Sequence, residues 1–218
     1  MTKLILIRHG ESVAQVEGFV SGHRTCRGLS ELGRRQAQAL HDRLATTGEI
    51  EADVLLTSEL PRAIETAQII APAIGADLVA EQDCDLCEIH VGDEAEGLTW
   101  EQFGERWPSS TWDPNVSTTE GGESWYGFGE RVLRTIEKHT STHADKTIVA
   151  AVHGGIIEQA IYRLLGLDAA RNQIGHVVNT SITELWLREN PFRPQGPRWE
   201  LTRYNDHAHT AGLPASST

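Results

Sequence analysis

Four consecutive apolar residues near the N-terminus constrain the fold more than any other stretch of the chain. The run LILI at residues 4–7 does not alternate apolar with polar residues. It therefore predicts a strand buried on both faces, as the strands of parallel sheets are. Arg8, His9 and Gly10 follow the run directly. Open parallel sheets bind ligands at the carboxyl ends of their strands, which is where this arginine and histidine stand.

Arg8 and His9 would point to opposite faces of a regular strand, so they reach one pocket only if the backbone turns between them. Gly10 permits such a turn because glycine has no Cβ. A guanidinium beside an imidazole suits an anion, and phosphate is the obvious candidate. The alternative is a strand that ends in a solvated Arg-His pair, and this stretch alone leaves both open.

Strand and helix signals alternate along most of the chain. Further buried strands are predicted at residues 54–56, 77–80 and 147–152. Helices are predicted between them, with Ser30 and Ser58 as N-caps, Gly48 and Gly166 as stops, and one helix ending at about Pro72. Two last strands, at residues 181–187 and 198–204, are joined by a proline-rich turn, and the second is expected at an edge.

This order of elements predicts an α/β fold, a three-layer α/β/α sandwich around a mostly parallel sheet. We expect one domain over residues 1–218, with an inserted lid at residues 81–123 and a flexible tail at residues 206–218. Residues 81–123 are called the acidic segment below, because nine carboxylates and no lysine or arginine lie between Glu81 and Glu105. Trp100, Trp107 and Trp112 also lie in it.

The acidic segment has two interpretations. One is a solvated acidic surface with scattered packing aromatics. The other is a lid that selects substrates, since long insertions at the binding end of a fold are often functional. The tryptophans, including Trp125 just after the segment, favour a substrate with an apolar or aromatic part beyond its phosphate.

The charge balance limits the partners. With 19 basic and 31 acidic residues, the net charge is -12, which argues against nucleic acid or an anionic membrane. Of three cysteines, only Cys84 and Cys87 are close in sequence, so we expect reduced cytosolic thiols and not a disulfide framework. The apolar run after Lys3 is too short for a signal peptide or a membrane span. A cytoplasmic location is therefore expected.

Three strand ends carry groups suited to a phosphoryl group. His9 and His153 each follow a predicted strand and precede a glycine, and Arg62 lies in the first turn of a helix after a third strand. The helix after His153 adds free backbone amides. Arginine is the natural partner here because its fork matches phosphate oxygens. Ten histidines leave a metal site as a rival, but no spacing resembles a zinc or metalloprotease motif, and no metal is predicted.

Four segments together resemble the signature segments of the histidine phosphatase superfamily, the phosphoglycerate mutase-like family. They are LIRHGES at residues 6–12, SELPRAIETA at 58–67, LCEI at 86–89 and VHGG at 152–155. The first motif alone is only moderately specific, whereas all four in order are strongly specific. The likeness runs from the first strand to about Leu187, which is most of the chain.

The resemblance implies that His9 is a nucleophile that forms a phosphohistidine, with Arg8, Arg62 and His153 holding the phosphoryl group. It implies that Glu88 donates a proton to the leaving group and then accepts one from water. The physical chemistry agrees, because nearby arginines disfavour protonation of an attacking imidazole and stabilise the transition-state charge. No cofactor is expected, since the arginines take the place that magnesium has elsewhere.

The resemblance also implies a set of residues that bind the rest of the phosphate site. Many family members have asparagine where this chain has the longer Gln15, and Glu11 is interpreted as structural. The implied substrate-binding set is Gln15, Ser21, Gly22, Gly154 and Ser124.

Phosphatases and mutases of the family share these catalytic residues, so the sequence of the acidic segment has to distinguish one activity from the other. In cofactor-dependent mutases the catalytic glutamate precedes an Arg-His-Tyr-Gly stretch, whereas here IHVGDEAEGLT follows Glu88. This resembles the phosphatase branch. Acidic residues would also repel a doubly phosphorylated compound, although Arg24 and Arg27 offset part of that charge.

We therefore predict a metal-independent phosphomonoesterase that acts on a small phosphorylated substrate. A cofactor-dependent phosphoglycerate mutase is the first alternative. A non-hydrolytic phosphohistidine carrier or regulatory protein is the second, and Glu88 argues against it because a carrier needs no leaving-group acid. A homodimer is compatible with the sequence.

Overall fold

A mixed six-stranded sheet with helices on both faces forms the centre of the computed structural model, which describes residues 1–168, 173–189, 192 and 196–217. The strands of these residues are β1 (Thr2–Arg8), β2 (Val54–Thr57), β3 (Glu81–Gln82), β4 (Thr147–Val152), β5 (Ile182–Arg188) and β6 (Arg198–Asp206). The α-helices are α1 (Val13–Glu17), α2 (Glu31–Thr47), α3 (Pro61–Ile74), α4 (Trp100–Arg106), α5 (Trp125–Thr142) and α6 (Gly154–Leu165). Short 3-10 helices span Cys84–Leu86, Ser109–Thr111 and Ala208–Thr210.

The strand order is β3-β2-β4-β1-β5-β6. The first four of these strands run parallel, while β5 is antiparallel to both β1 and β6. The α/β prediction is confirmed, and two antiparallel pairings at one side make the sheet mixed. In the register of β1 with β4, Arg8 lies beside Val152, so His9 and His153 leave the sheet as neighbours.

The unbroken apolar run of β1 is explained by helices on both faces of the sheet. Leu4 and Leu6 pack in one core cluster together with Phe128 of α5. Ile5 and Ile7 pack in a second cluster, against α2 and α3. Each face of the strand is thus covered by apolar side chains, which is what a run without alternation requires.

Two local predictions are wrong. Residues 77–80 are not a strand: the pairing with β2 is made by Glu81–Gln82, and Val79 is 87 % exposed. Ser58 does not cap α3, whose N-cap is Leu60, and the helix continues through Pro72 to Ile74. Pro61 opens that helix with its φ already set, and the Ser58 hydroxyl bonds to the ring of His153 instead.

The residues from Asp206 onward, for which the sequence predicts a flexible tail, make specific contacts with α2 and with the loop after β1. Asp206 pairs with Arg43 at 2.7 Å, and the backbone N–H of Ser217 donates to Glu11 Oε1 at 2.7 Å. Glu11 also accepts from the Ser30 hydroxyl that caps α2, so its contacts are structural, as expected. These contacts are polar, and apolar patterning gives no signal for them.

No helix within the described ranges is both long and apolar enough to cross a lipid bilayer.

Candidate active site

His9 is fixed where β1 ends. Its backbone N–H donates to the carbonyl of Val152 at 2.8 Å, which continues the parallel ladder one residue beyond the strands. The next residue, Gly10, lies against the backbone of Gly33 so closely that a Cβ would collide with it. Glycine is therefore required here by close approach, and the chain turns away from the sheet with the His9 ring buried.

The hydrogen bonds of the His9 ring define its tautomer. Nδ1 lies 2.7 Å from the carbonyl oxygen of Gly10, which only accepts, so Nδ1 carries the proton. Nε2 accepts from Nε of Arg62 at 3.2 Å. Burial, followed by the charges of Arg62 and Arg8, holds the pKa of His9 well below its usual range. The result is a neutral imidazole with its lone pair on Nε2.

Arg62 is held in the first turn of α3 and is itself only 5 % exposed. Its Nη1 contacts Sγ of Cys26 at 3.3 Å. The backbone carbonyl of Arg62 accepts from the Thr66 hydroxyl, and the same hydroxyl accepts from the N–H of Gly10. This chain of bonds ties the arginine's helix to the turn after His9.

Arg8 and His153 each keep a buried nitrogen without a hydrogen-bond partner in the described part of the chain, Nε of Arg8 and Nδ1 of His153. Nη1 of Arg8 donates to the carbonyl of Val177, and burial lowers the pKa of Arg8 to about 10. The His153 ring centroid lies 5.1 Å from that of His9. Burial also holds the pKa of His153 well below its usual range. Both nitrogens suit the oxygens of a bound phosphoryl group.

Glu88 reaches the same place from the acidic segment. Its Oε2 accepts from the backbone N–H of Gly155 at 3.0 Å, at the N-terminus of α6, and its Oε1 accepts from the N–H of Ile89 at 3.0 Å. A Cβ on Gly155 would collide with this carboxylate. The glycine after Gly154 is therefore what lets Glu88 approach the helix.

These side chains line a cavity of about 360 Å³, called the strand-end cavity below. Its walls include Arg8, His9, Arg62 and Glu88 from the predicted catalytic set. A second cavity of about 460 Å³ adjoins it, since Glu88 and Ser21 line both. His153 lines neither of these two cavities and is fully buried.

The predicted substrate-binding residues are placed unevenly. Ser21 has a buried hydroxyl without a partner in the described residues, and Gly22 lines only the second cavity. Gln15 lines the strand-end cavity, but its amide bonds to Ser12 and to the side chain of Asn179. Gly154 begins α6 beside the Arg8 guanidinium.

Ser124 is not brought to the site. Its hydroxyl accepts from the N–H of Gly127 at 3.0 Å and caps α5, and it lines neither of the two cavities. The neighbouring Trp125 lines the strand-end cavity instead. A serine before a helix is as typical of an N-cap as of a ligand site.

Two residues of the site were missed by sequence reasoning. Asn179 donates from Nδ2 to the carbonyl of His9 at 2.9 Å, and it stands in a turn without any motif. Glu158 lines the strand-end cavity, and burial beside the charge of Glu88 raises the pKa of Glu158 to about 7. Its position four residues after Gly154, on the same helix face, was the available signal.

Comparison with known proteins identifies relatives of this arrangement. The family model of the histidine phosphatase superfamily (branch 1) matches residues 4–207. Phosphoglycerate mutase-like protein 4 of Arabidopsis thaliana is 31 % identical over 95 % of this chain and 86 % of its own length. A metal-independent phosphoserine phosphatase of the same plant is 27 % identical over 98 % and 85 %.

Among solved structures, the mycobacterial glucosyl-3-phosphoglycerate phosphatase in complex with VO3 superposes with a TM-score of 0.77 and 28 % identity. The superposition covers 93 % of this chain and 98 % of that one.

Proposed function

The chain belongs to branch 1 of the histidine phosphatase superfamily, and from this premise we propose that it hydrolyses small phosphomonoesters through a phosphohistidine on His9. The observation that carries the proposal is the state of the His9 ring. Its proton is held on Nδ1 by the Gly10 carbonyl, which leaves the Nε2 lone pair inside a cavity lined by Arg8 and Arg62. Of the two phosphatases named above, the phosphoserine phosphatase is similar in sequence and the mycobacterial phosphatase is similar in fold.

In the first step, Nε2 of His9 attacks phosphorus, and the bond from phosphorus to the ester oxygen breaks. Arg62 shifts its donor from Nε2 to a phosphoryl oxygen, while Arg8 Nε and His153 Nδ1 are the other candidate partners of the phosphoryl oxygens. Preorganised donors of this kind stabilise charge where it develops in the transition state. The leaving oxygen takes a proton from Glu88.

In the second step, a water gives a proton to Glu88 and attacks the phosphohistidine. The bond between phosphorus and nitrogen breaks, inorganic phosphate leaves, and His9 returns to its neutral form. Glu88 thus regains the proton it gave up. Glu158 is a second carboxyl in the cavity, and a pKa of about 7 keeps much of it uncharged at neutral pH beside the incoming phosphate.

Hydrolysis is favoured over mutase activity by the charges around the second cavity. A mutase has to hold a second anionic group, and the two arginines of the loop between α1 and α2 are already paired. Arg24 lies 3.6 Å from Asp93, and Arg27 contacts Glu17. Glu96 accepts from the backbone N–H groups of Arg24 and Thr25, and it adds negative charge to the wall of the second cavity.

The substrate proposed here carries an apolar or aromatic part. Three aromatic residues, Phe19, Trp100 and Trp125, are among those that line the strand-end cavity. Trp100 is 58 % exposed and belongs to the acidic segment. An exposed aromatic ring at a cavity mouth gains most by covering an apolar surface of the ligand.

A substrate panel tests the reaction class. Purified protein is assayed without added divalent cation on aromatic, alkyl and sugar phosphates, and on 3-phosphoglycerate with and without 2,3-bisphosphoglycerate. We expect phosphate release, fastest with aromatic esters. Isomerisation of 3-phosphoglycerate that outpaces hydrolysis would identify a mutase instead.

Trapping the intermediate tests the nucleophile. A rapid quench followed by mass spectrometry should find an acid-labile phosphoryl group on the peptide that contains His9. His9→Ala should lose both the group and the turnover, while His41→Ala, a histidine on the outer surface of α2, keeps both. A phosphohistidine that persists without turnover would instead support a carrier.

Two matched variants identify the general acid. Glu88→Gln and Glu158→Gln remove one carboxyl each without a large change of shape. We expect the larger loss for Glu88→Gln, and a larger loss with alkyl phosphates than with p-nitrophenyl phosphate, because nitrophenolate leaves without a proton. The reverse order would transfer the role to Glu158.

A further inference from the structure

Three side chains that the proposed reaction does not use bring metal-ligand atoms together. Donor atoms of His23, Cys84 and Cys87 all lie within 4.8 Å of one another. His23 lies in the loop between α1 and α2, whereas the cysteines stand in and directly after the 3-10 helix Cys84–Leu86. Sγ of Cys84 is 3.8 Å from Nε2 of His23. Two distant parts of the chain thus converge beside the second cavity, which His23 and Cys87 line.

The local backbone explains why both thiols face the same point. The N–H of Cys87 donates to the carbonyl of Cys84 at 2.9 Å, which closes a 3-10 turn. Side chains at positions i and i+3 of such a turn eclipse each other. The spacing C-x2-C is typical of structural zinc sites. This corrects the expectation that no spacing in the sequence resembles a zinc motif: the C-x2-C pair is present at Cys84 and Cys87, and only its histidine partner lies far away along the chain.

The donor set selects the metal. Thiolates are soft ligands that prefer Zn²⁺ or Cu(I), and imidazole suits Zn²⁺. Zinc bonds of about 2.3 Å to sulfur and about 2.0 Å to nitrogen place tetrahedral donors about 3.5–4 Å apart. The three atoms therefore have to close by only about 1 Å to bind one ion.

A fourth candidate donor is the imidazole of His90, whose ring lies next to that of His23. The ring of His90 meets that of His23 edge-on, with 5.7 Å between their centroids. Nε2 of His90 is buried and has no hydrogen-bond partner among the described residues. His90 also lines the second cavity, together with His23 and Cys87. A buried imidazole nitrogen without a partner is costly unless a ligand takes its lone pair.

The backbone of the cysteine turn and of His90 is held in place by one partly buried ion pair. Arg131 of α5 pairs with Glu123 at 2.6 Å. Its Nη1 donates to the carbonyl of Cys87 at 3.0 Å, while Glu123 Oε2 accepts from the N–H of His90 at 2.9 Å. The segment that carries three of the four donors is thus held by hydrogen bonds that do not need an ion, and such supporting contacts favour metal affinity.

We propose that His23, Cys84, Cys87 and His90 bind one Zn²⁺ in a closed tetrahedral site. His90 completes the set by turning its ring toward the other three donors. Four protein ligands leave no position for water or substrate, so the ion is structural. It does not take part in phosphoryl transfer.

The site has a defined consequence for the acidic segment. Glu88 stands between Cys87 and His90 in the chain, and His23 follows Ser21 and Gly22 at the edge of the second cavity. An ion shared by these residues fastens the segment that carries the carboxylate to the loop after α1. The metal binding itself is independent of the proposed reaction, and it is measured without an activity assay.

The direct test is metal binding by the reduced full-length protein. Elemental analysis of protein purified without a histidine tag should find one zinc per chain. Cobalt added to the demetallated, reduced protein should give sulfur-to-cobalt charge transfer and the visible bands of a tetrahedral thiolate site, and equimolar zinc should bleach them. A reduced protein that binds neither ion overturns the proposal.

Matched variants locate the site. Cys84→Ser should abolish the thiolate signal, whereas Cys26→Ser, which changes the one cysteine outside the cluster, should keep it. His90→Ala should weaken zinc binding about tenfold or more, equivalent to about 1.4 kcal/mol, and His41→Ala should not. Circular dichroism checks that each variant is folded.

Two outcomes would contradict the assignment. Full zinc affinity in a folded Cys84→Ser variant places the ion elsewhere. A mass two hydrogen atoms lower than that of the reduced chain, in protein isolated under thiol-free but anaerobic conditions, identifies a disulfide between Cys84 and Cys87 in place of the metal. The wild-type titration remains decisive even where a variant does not fold.

Discussion

The strand ends and the acidic segment are held in place by different kinds of contact. At the strand ends, the main chain fixes the chemistry: His9 N–H bonds to the Val152 carbonyl, and Ser58 N–H bonds to that of Ala151. In the acidic segment, side chains hold the main chain, as Arg131 does for Cys87. A sheet tolerates most single side-chain changes, whereas a loop that depends on one guanidinium does not. Single substitutions in the acidic segment can therefore change both the position of its backbone and the substrate specificity.

The largest effect of a substitution at the strand ends is expected at Arg62. We expect Arg62→Lys to lower kcat/KM by roughly 10²–10³-fold, the usual cost of one preorganised donor. A lysine provides a point charge and not the fork that contacts Nε2 of His9 and Sγ of Cys26. Steady-state kinetics with p-nitrophenyl phosphate measures it. Arg34→Lys, an exposed pair with Glu65, is the control, and an equal loss in both variants would refute the assignment.

Arg131 is the corresponding test of the acidic segment. Arg131→Met leaves the Glu123 carboxylate partly buried without its partner, and we expect about 3 kcal/mol of lost stability. Denaturant unfolding measures this loss, and the double change with Glu123→Gln should recover part of it. Hydrolysis of alkyl phosphates should fall further than that of p-nitrophenyl phosphate, because the segment that positions Glu88 loosens. Equal losses on both esters would show that the strand ends depend on this ion pair as well.

The buried histidines give the strand ends a pH dependence of stability. The pKa values of His9 and His153 are held well below 6.5 in the fold, chiefly by burial. Below that pH the unfolded chain binds protons that the folded chain does not, so the free energy of unfolding falls as the pH falls. The slope is up to about 1.4 kcal/mol per pH unit for each histidine.

Urea unfolding of wild type and His9→Gln between about pH 7 and pH 5 separates this contribution from the carboxylates. The variant should show the shallower decline. Parallel curves would mean that His9 takes up its proton equally well in the folded protein.

What the sequence could predict follows the same division. Continuous apolar runs specify β1 and β4, and each is followed by a histidine, so the meeting of His9 with His153 was accessible from pattern alone. The position of Arg62 beside these histidines followed from its place in the first turn of a helix. Even the length of α2, with its Ser30 cap and Gly48 stop, was encoded locally.

The acidic segment could not be predicted in this way, because its contacts join residues far apart in sequence through polar atoms. Nothing local signals that Arg131 holds the turn at Cys87, or that Glu123 receives the N–H of His90. The misplaced strand at residues 77–80 has the same origin. Edge pairing over two residues depends on where β2 ends and carries almost no pattern of its own.

The smallest effect is expected at Trp100, and it separates the roles of the two regions most clearly. Trp100 lines the strand-end cavity and is not one of the groups proposed to hold the phosphate, so Trp100→Ala should raise KM for aromatic esters about fivefold, or about 1 kcal/mol of apolar contact. kcat should stay near wild type, and KM for a small alkyl phosphate should not change, since that ester does not reach the ring. Trp112→Ala is the matched control, because Trp112 is similarly exposed in the same segment but lines a separate cavity. A fall in kcat on every ester would mean that the acidic segment positions the reacting groups through this ring. In that case the strand ends would not bind the phosphate independently of the segment that contacts the leaving group.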